Sequence, residues 1–272
     1  MTKKLLFLDL DGTLLNDNKQ ITDGNRRALE AALERGHGVV ITTGRPLKSA
    51  LDLARELELD KPGCYTIAFN GALIYDWDGN KIIFRRTVPI DAVRRFFAAA
   101  REFGVHIQTY DSREVLVEPW CDRETVEKYC KTLRMTYRVV EDVCQTLEEE
   151  PFKMLAIRER ESENMRALEA FLRGEMAEDL DGAFSSATYL DIVRAGMNKG
   201  EAVTRLCDMM NIPIADAIAV GDAANDLSMI RAAGIGVAMA NGTQDVKAAA
   251  DYITENDNNH DGVAEVVGKF ME

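Results

Sequence analysis

A short, wholly apolar run that ends in two acidic residues constrains the fold of this chain more than any other feature. Leu5 to Leu8 lead directly into Asp9 and Asp11, and Gly12 follows. A strand that is apolar on both faces is typical of the buried centre of a parallel sheet, so its carboxyl end delivers two carboxylates to a crevice. Asp and Gly are also common in ordinary turns. Other charged segments downstream nevertheless complement these two acids.

A second apolar run, Ala217 to Val220, ends in the same way. Gly221 and Asp222 follow it, and a helical pattern opens at Asp226. Open α/β sheets place their sites at the carboxyl ends of their strands. We therefore expect the two acidic clusters to share one crevice.

Carboxylates gathered in one crevice require compensation. Two unit charges 4 Å apart repel by about 4 kcal/mol at an effective dielectric constant near 20, and protonation or a bound cation relieves that repulsion. Oxygen ligands without a nearby His or Cys favour a hard ion. A site with few carboxylates and room for water and a phosphate oxygen favours magnesium (Mg²⁺) over calcium.

Two further segments carry the chemistry of anion binding. Lys199 begins a helical pattern, where the helix end already has partial positive charge, so it is suited to reach an anion; a solvated surface lysine is the alternative. Thr43 and Gly44 follow the apolar run Val39 to Ile41 and combine a hydroxyl, glycine backbone and a helix start. These groups are typical of phosphate binding, although Thr-Gly also begins ordinary helices.

Strand and helix signals alternate over residues 1–84 and again over 189–272. This alternation predicts a doubly wound, Rossmann-like parallel sheet as an α/β core. A hairpin with Asp78-Gly79-Asn80 at its turn is predicted over residues 74–84. Residues 85–188 carry a separate alternation and are predicted to form an inserted α/β cap. A fold-stabilising insertion is one interpretation; we favour a lid that selects the leaving group, because a site for phosphate alone cannot discriminate among monoesters.

In chain order, the segments 9–14, 43–45, 199 and 221–226 resemble the four signature motifs of the haloacid dehalogenase-like phosphatases. The chain is more narrowly similar to their Cof-type branch, which carries an inserted α/β cap and mostly hydrolyses small phosphate monoesters. Asn70-Gly71-Ala72 and the segment 261–264 are also similar to that branch. The resemblance spans nearly the whole chain, with its specific residues outside the middle third.

The resemblance implies a role for each matching acid. Asp9 is the implied nucleophile, which attacks phosphorus and forms an aspartyl-phosphate. Asp11 is the implied acid that protonates the leaving alkoxide and then the base that deprotonates water. The implied metal ligands are Asp9, the main-chain carbonyl of Asp11, and Asp222. Asp226 stands nearby, paired with Lys199 or with a metal-bound water.

The resemblance also implies a set of groups that hold the phosphoryl oxygens as charge redistributes in the transition state. They are the backbone amides of Leu10 and Gly44 and the side chains of Thr43, Lys199 and Asn225.

These residues predict a magnesium-dependent phosphatase of small phosphorylated metabolites, such as sugar phosphates. A phosphomutase shares the aspartyl-phosphate half reaction and stays an alternative. A non-catalytic phosphate-ligand sensor is another, but a retired enzyme would be expected to lack Asp9 or Asp11.

Composition limits the partners and the compartment. The net charge of −13 argues against nucleic acid and anionic membrane surfaces. No apolar run reaches the length of a membrane span, and the five cysteines are scattered without metal or redox spacing. We therefore expect a cytoplasmic protein with reduced thiols.

Overall fold

The structure is a computed structural model that describes residues 2–271. In chain order the strands are β1 (Leu5–Leu8), β2 (Gly38–Thr42), β3 (Cys64–Ala68), β4 (Leu73–Asp76), β5 (Lys81–Arg85), β6 (His106–Tyr110), β7 (Val115–Val117), β8 (Tyr137–Val139), β9 (Met154–Ile157), β10 (Leu180–Phe184), β11 (Tyr189–Arg194), β12 (Ala217–Gly221), β13 (Ile235–Ala238) and β14 (Tyr252–Ile253). The helices are α1 (Asp23–Glu34), α2 (Leu47–Glu56), α3 (Ile90–Glu102), α4 (Arg123–Leu133), α5 (Val143–Thr146), α6 (Glu163–Gly174), α7 (Lys199–Met209), α8 (Leu227–Ala232), α9 (Gln244–Ala249) and α10 (Gly262–Phe270).

The first compact unit comprises the chain up to Thr43, Ala50–Phe84 and the chain from Asn198 onward. Its eight-stranded sheet has the order β14-β13-β12-β1-β2-β3-β4-β5. β1 lies between β12 and β2 and pairs in parallel with both. β3 pairs antiparallel with β4, and β5 lies beside β4 as the predicted hairpin requires. The predicted doubly wound parallel core is confirmed.

Both faces of β1 are covered, which explains why its sequence is apolar throughout. Leu6 and Leu8 pack in a cluster with residues of α1 and α10, whereas Leu5 and Phe7 pack with residues of α7. All four side chains are fully buried. A strand enclosed in this way has no polar face, so only its carboxyl end is available for chemistry.

The second unit comprises Gly44–Ser49 and Arg85–Met197. Its six-stranded sheet has the order β10-β11-β9-β6-β7-β8 and is antiparallel except for the pair β7–β8. Helices α3 and α6 pack together through Phe96 and Phe171, whose ring centroids are 6.3 Å apart. This unit is an inserted α/β domain of the kind that the sequence predicts.

The second unit ends later in the chain than predicted. The sequence predicts its end at residue 188, whereas the structure places it at Met197. β11 pairs antiparallel with β9 and β10, so the chain stays in the second unit up to Met197. An apolar run predicts a strand but does not specify which sheet the strand joins. β10 itself gave no signal, because Asp181 and Gly182 interrupt its apolar pattern.

The cysteines and the helices bear on the expectations from composition. The five cysteines, all within the described residues, are free thiols, and four of them are buried. Among residues 2–271, the helices are too short or too polar to cross a membrane.

His37 joins the first and last elements of the first unit. Its Nδ1 accepts a hydrogen bond from the Lys4 backbone N–H at 3.1 Å, and its Nε2 lies 3.1 Å from the Met271 carbonyl oxygen. Because Nδ1 accepts, the ring proton lies on Nε2 and is donated to Met271. Burial lowers the pKa of His37, which favours this neutral ring.

This arrangement predicts that stability depends on pH through His37. The folded state holds the pKa of His37 below its unfolded value of about 6.5, so the unfolded chain binds the proton more readily and stability is lost as pH falls through that value. His37→Gln keeps a donor for Met271 but does not titrate. In urea titrations between about pH 7.5 and 5.5, the free energy of unfolding should fall more for the natural chain than for His37→Gln. Equal dependence on pH in both proteins would contradict the assignment.

Candidate active site

Asp9 continues β1 beyond its last residue. Its backbone N–H donates to the Val220 carbonyl at 3.1 Å, which extends the ladder between β1 and β12. Its side chain is almost completely buried. The chain then turns back, as the Leu14 N–H donates to the Asp9 carbonyl at 3.2 Å and the Leu15 N–H donates to the Leu10 carbonyl at 2.8 Å. These bonds fix the Asp9 carboxylate at the carboxyl edge of the sheet.

Gly12 lets this loop pass directly against Asp222. It has φ of +89°, and a Cβ at this position would lie 2.5 Å from Asp222 Oδ2. Thr13 adds a hydrogen bond, donating from Oγ1 to Asp222 Oδ1 at 2.8 Å. The loop after β1 and the loop after β12 are therefore packed together with no room for a side chain between them.

Lys199 is the centre of the site, although it lies at the start of α7. Its side chain is buried, and Nζ donates to Asp9 Oδ1 at 2.5 Å and to Asp226 Oδ1 at 2.6 Å. The surface-lysine alternative is wrong.

Asp226 has partners for both of its oxygens. Oδ1 accepts from Lys199, and Oδ2 accepts from the backbone N–H groups of Asp222 and Ala223 at 3.0 Å each. This carboxylate therefore holds both the lysine and the loop after β12 in place.

The site contains more negative than positive charge. One carboxylate oxygen each of Asp9, Asp222 and Asp226 lies within 4.8 Å of the others, and Lys199 supplies one compensating charge. Burial, and after it the charge of Asp226, raises the pKa of Asp9 well above its usual range. The same two causes raise the pKa of Asp222 to about 6.

The pKa of Lys199 is also raised, which for a lysine favours the charged form. Burial alone would lower its pKa, but the charges of Asp226 and Asp9 outweigh burial and raise it, so the ammonium stays charged. Three carboxylates against one ammonium leave an excess that a hard divalent cation would neutralise, and the oxygen-only donor set fits such an ion.

Asp11 differs from the other acids. Its carboxylate is 43% exposed and forms an ion pair with Lys19 Nζ at 2.8 Å. The expectation of four clustered carboxylates is thus wrong for Asp11, because the turn at Gly12 leaves its side chain beside solvent. The metal role implied for Asp11 concerned its main-chain carbonyl and stays a prediction.

The predicted phosphate-binding residues occupy several loops. Leu10 is buried beside Asp9, and Asn225 is half-buried in the short 3₁₀ turn Ala224–Asp226 between Asp222 and α8. Thr43 is held by backbone bonds on both sides, from its N–H to the Ile67 carbonyl at 2.9 Å and from the Asn70 N–H to its carbonyl at 3.0 Å. Gly44 belongs to the second unit, where its carbonyl accepts a hydrogen bond from Lys153 Nζ at 2.8 Å.

Sequence reasoning missed two features around these loops. Asn70 adopts φ of +55° and has a buried Oδ1 without a partner among residues 2–271, but only the family resemblance pointed to it. Lys153 forms a buried ion pair with Asp191 inside the second unit. A lysine before one strand and an aspartate within another gave no signal, because their pairing depends on strand order.

Gly71 connects two parts of the first unit by close packing. It has φ of +105°, and a Cβ at this position would lie 2.3 Å from the Asn198 carbonyl oxygen. The turn after β3 is therefore in backbone contact with the residue that precedes Lys199.

Known proteins resemble the chain over nearly its full length. The sequence model of one family, described as haloacid dehalogenase-like hydrolase, matches residues 6–267. A putative phosphatase of Bacillus subtilis, YxeH, is 30% identical, with 98% of each chain covered. The B. subtilis 5-amino-6-(5-phospho-D-ribitylamino)uracil phosphatase YitU is also 30% identical, over 98% of this chain and 97% of its own.

Solved structures show the same likeness in three dimensions. The crystal structure of a haloacid dehalogenase-like hydrolase from Bacteroides thetaiotaomicron has a TM-score of 0.87 and 32% sequence identity. The match covers 98% of this chain and 99% of that protein.

The close packing at Gly12 predicts a specific sensitivity to a single methyl group. Gly12→Ala should destabilise the fold by more than the roughly 1 kcal/mol that is expected from backbone strain alone, because the methyl group collides with Asp222. Gly36→Ala is the matched control, since Gly36 has φ of +85° and open space where the methyl group would be. Urea unfolding of both variants measures the difference, and equal destabilisation would contradict the packing argument.

Proposed function

The chain belongs to the Cof-type branch of the haloacid dehalogenase-like hydrolases and is a phosphoric monoester hydrolase, and from that premise we propose that it is a magnesium-dependent phosphatase of sugar phosphates or related metabolites. The proposed route passes through an aspartyl-phosphate. The observation that carries this proposal is the cluster of Asp9, Asp222 and Asp226, in which Asp9 and Asp226 are buried and bind Lys199.

Asp9 is proposed as the nucleophile. Lys199 donates to Oδ1 of Asp9, which orients the carboxylate and leaves Oδ2 to attack phosphorus. As the new O–P bond forms, the bond between phosphorus and the leaving oxygen breaks. Water then attacks the phosphorus of the aspartyl-phosphate, which releases inorganic phosphate and restores Asp9.

Asp11 is proposed to move the protons. It protonates the leaving oxygen in the first half reaction and takes a proton from water in the second. Its partial exposure and its surface ion pair with Lys19 suit this exchange, because an exposed pair adds little stability and leaves the carboxylate accessible.

Asp9, Asp222 and the carbonyl of Asp11 are proposed to hold Mg²⁺, and the oxygen-only acidic cluster supports a hard cation there. The ion supplies the positive charge that keeps the buried carboxylates ionised and orients the phosphate. Lys199, Thr43, Asn225 and the backbone amides of Leu10 and Gly44 are proposed to hold the phosphoryl oxygens. Asp226 keeps Lys199 charged and in place.

The names of the relatives support the substrate class. Both relatives described above are named as phosphatases, and one is named for a small phosphorylated ribityl compound. These names favour hydrolysis over the phosphomutase and sensor alternatives. We further propose that the second unit selects the leaving group. The lack of nucleic-acid or membrane partners stays a prediction from the net charge, and a cytoplasmic location stays a prediction from the apolar runs and the cysteines.

Loss of the nucleophile should abolish turnover. Asp9→Asn removes the anionic attacking oxygen while keeping the shape of the side chain, so phosphate release from an aryl phosphate with Mg²⁺ should fall at least about a thousandfold. Asp208→Asn, on the exposed face of α7, is the control and should keep full activity. Circular dichroism should show that both variants are folded. Full activity in Asp9→Asn would refute the covalent route.

The metal should be required, and Asp222 should set its affinity. Chelation should stop phosphate release and added Mg²⁺ should restore it. Asp222→Asn should raise the half-saturating Mg²⁺ concentration by about tenfold or more, whereas Asp208→Asn should not change it. Activity that survives exhaustive chelation would rule out the proposed cofactor.

A further inference from the structure

A cavity of about 420 Å³ lies wholly within the second unit. Its wall includes residues at the start of β6, the end of β9, the start of β11 and one face of α4. This volume is within the range of about 300–1,000 Å³ that is typical of small-molecule sites. The proposed phosphatase chemistry uses none of the lining residues, so an inference about the cavity is independent of that proposal.

His106 places an unpartnered buried nitrogen on the wall. The side chain is 7% exposed, and Nδ1 has no hydrogen-bond partner among residues 2–271. Nε2 lies 3.3 Å from Gln108 Oε1. Burial lowers the pKa of His106 and favours the neutral ring, and it outweighs the hydrogen bond to Gln108 and the charge and backbone of Asp122, which all raise the pKa. With the ring proton on Nε2 and directed at Gln108, Nδ1 is an acceptor that lacks a donor, and such buried groups normally have a partner.

Two cations line the same cavity. Arg158 is held on the wall because its Nη1 donates to the Gly104 carbonyl at 2.6 Å, and Lys128 projects from α4. Within the described part of the chain, neither forms an ion pair with an acidic side chain. Two cations against one acid, Asp122, give this lining a positive balance in a protein with a net charge of −13. It favours an anionic ligand, since charged hydrogen bonds to Arg are among the strongest in proteins.

The acidic residue on the wall is already used by the protein. Asp122 caps α4, where its carboxylate accepts from the Glu124 N–H at 3.2 Å and from the Thr125 hydroxyl at 2.5 Å. The hydrogen bond from Thr125 is the main cause of its lowered pKa. Its charge stabilises the helix start and raises the pKa of His106, and among residues 2–271 it forms no ion pair with Arg158.

Fixed aromatic rings complete the wall. Trp120 is anchored by a hydrogen bond from Nε1 to Glu118 Oε2 at 2.7 Å and by the Arg101 guanidinium, 5.3 Å from its ring centroid. Tyr189 is held edge-on against Tyr129, with 5.8 Å between the ring centroids. Rings held in this way offer flat apolar surface at little entropic cost.

We propose that this cavity binds a small anion that carries a flat ring and a hydroxyl or N–H donor. Arg158 and Lys128 bind the anionic group, His106 Nδ1 accepts from the donor, and Trp120 and Tyr189 contact the ring. The ligand is held within the second unit.

The test uses 6-hydroxynaphthalene-2-sulfonate as the probe. It carries all three groups and has no phosphate ester, so a phosphatase cannot consume it. The chain has two tryptophans, and Trp77 lies in a hydrophobic cluster of the first unit, so its indole N–H resonance serves as an internal reference. The probe should shift the Trp120 indole resonance in a saturable manner and leave the Trp77 resonance unchanged. A shift of Trp77 alone, or none at millimolar probe, overturns the proposal.

Charge variants test the cations. Arg158→Gln should weaken probe binding by about tenfold or more, and Lys128→Gln should weaken it several-fold. Lys131→Gln removes the same charge from an exposed position on the same helix and should have no effect. If Lys131→Gln and Arg158→Gln weaken probe binding equally, the probe is attracted by the general charge of the protein, and the proposed site is wrong. Asp9→Asn should bind the probe as the natural chain does, and loss of binding there would overturn the assignment to the second unit.

A second probe tests His106. Naphthalene-2-sulfonate lacks the hydroxyl group and should bind the natural chain several-fold more weakly. In His106→Phe the two probes should bind equally, because the acceptor is gone. If both probes bind the natural chain equally, His106 Nδ1 does not accept a hydrogen bond from the ligand, and that part of the proposal is wrong. If His106→Phe does not fold, the two probes are compared on the natural chain and on Arg158→Gln. That comparison still shows whether the hydroxyl group of the probe contributes to binding.

Discussion

The buried ammonium of Lys199 is the interaction on which the site depends. A lysine loses its hydration when it is buried, and carboxylate partners must compensate for that loss. Asp9 and Asp226 do so. Asp9 follows β1 and Asp226 lies in the 3₁₀ turn after β12, so the same contacts fix the helix that begins at Lys199 against the sheet. Asp222 adds a further acid that the lysine does not neutralise. The geometry that stabilises the lysine therefore also creates the need for a second cation.

Much of this arrangement could be predicted from sequence because it depends on strand ends. The apolar runs before Asp9 and Asp222 indicate central parallel strands, and the carboxyl ends of such strands meet at one edge. The burial of Lys199 was harder to predict, since a single lysine at a helix start usually faces solvent. The direction of the Asp11 side chain depends on the backbone turn at Gly12. The membership of β11 in the second sheet depends on pairing over long sequence distances, which local patterns do not specify.

The two units distribute charge differently. In the first unit, acids converge at the sheet edge and outnumber the one lysine among them. In the second unit, the cavity wall carries Arg158 and Lys128, while its acid, Asp122, is used to cap a helix. A strongly acidic chain thus contains one region suited to a cation and another suited to an anion. The net charge alone describes neither region, because local hydrogen bonding determines which charges are available to a ligand.

The contact between Gly71 and Asn198 determines how the position of Lys199 can vary. The charged groups of the site can adjust by side-chain rotation, but two main chains in contact cannot. The turn after β3 therefore limits how far the backbone at the start of α7 can move toward it. Displacement toward that turn is resisted by steric repulsion, which rises steeply, whereas movement toward the carboxylates is governed by softer electrostatic forces. The backbone before Lys199 should accordingly move less easily toward this turn than the side chains of the site rotate.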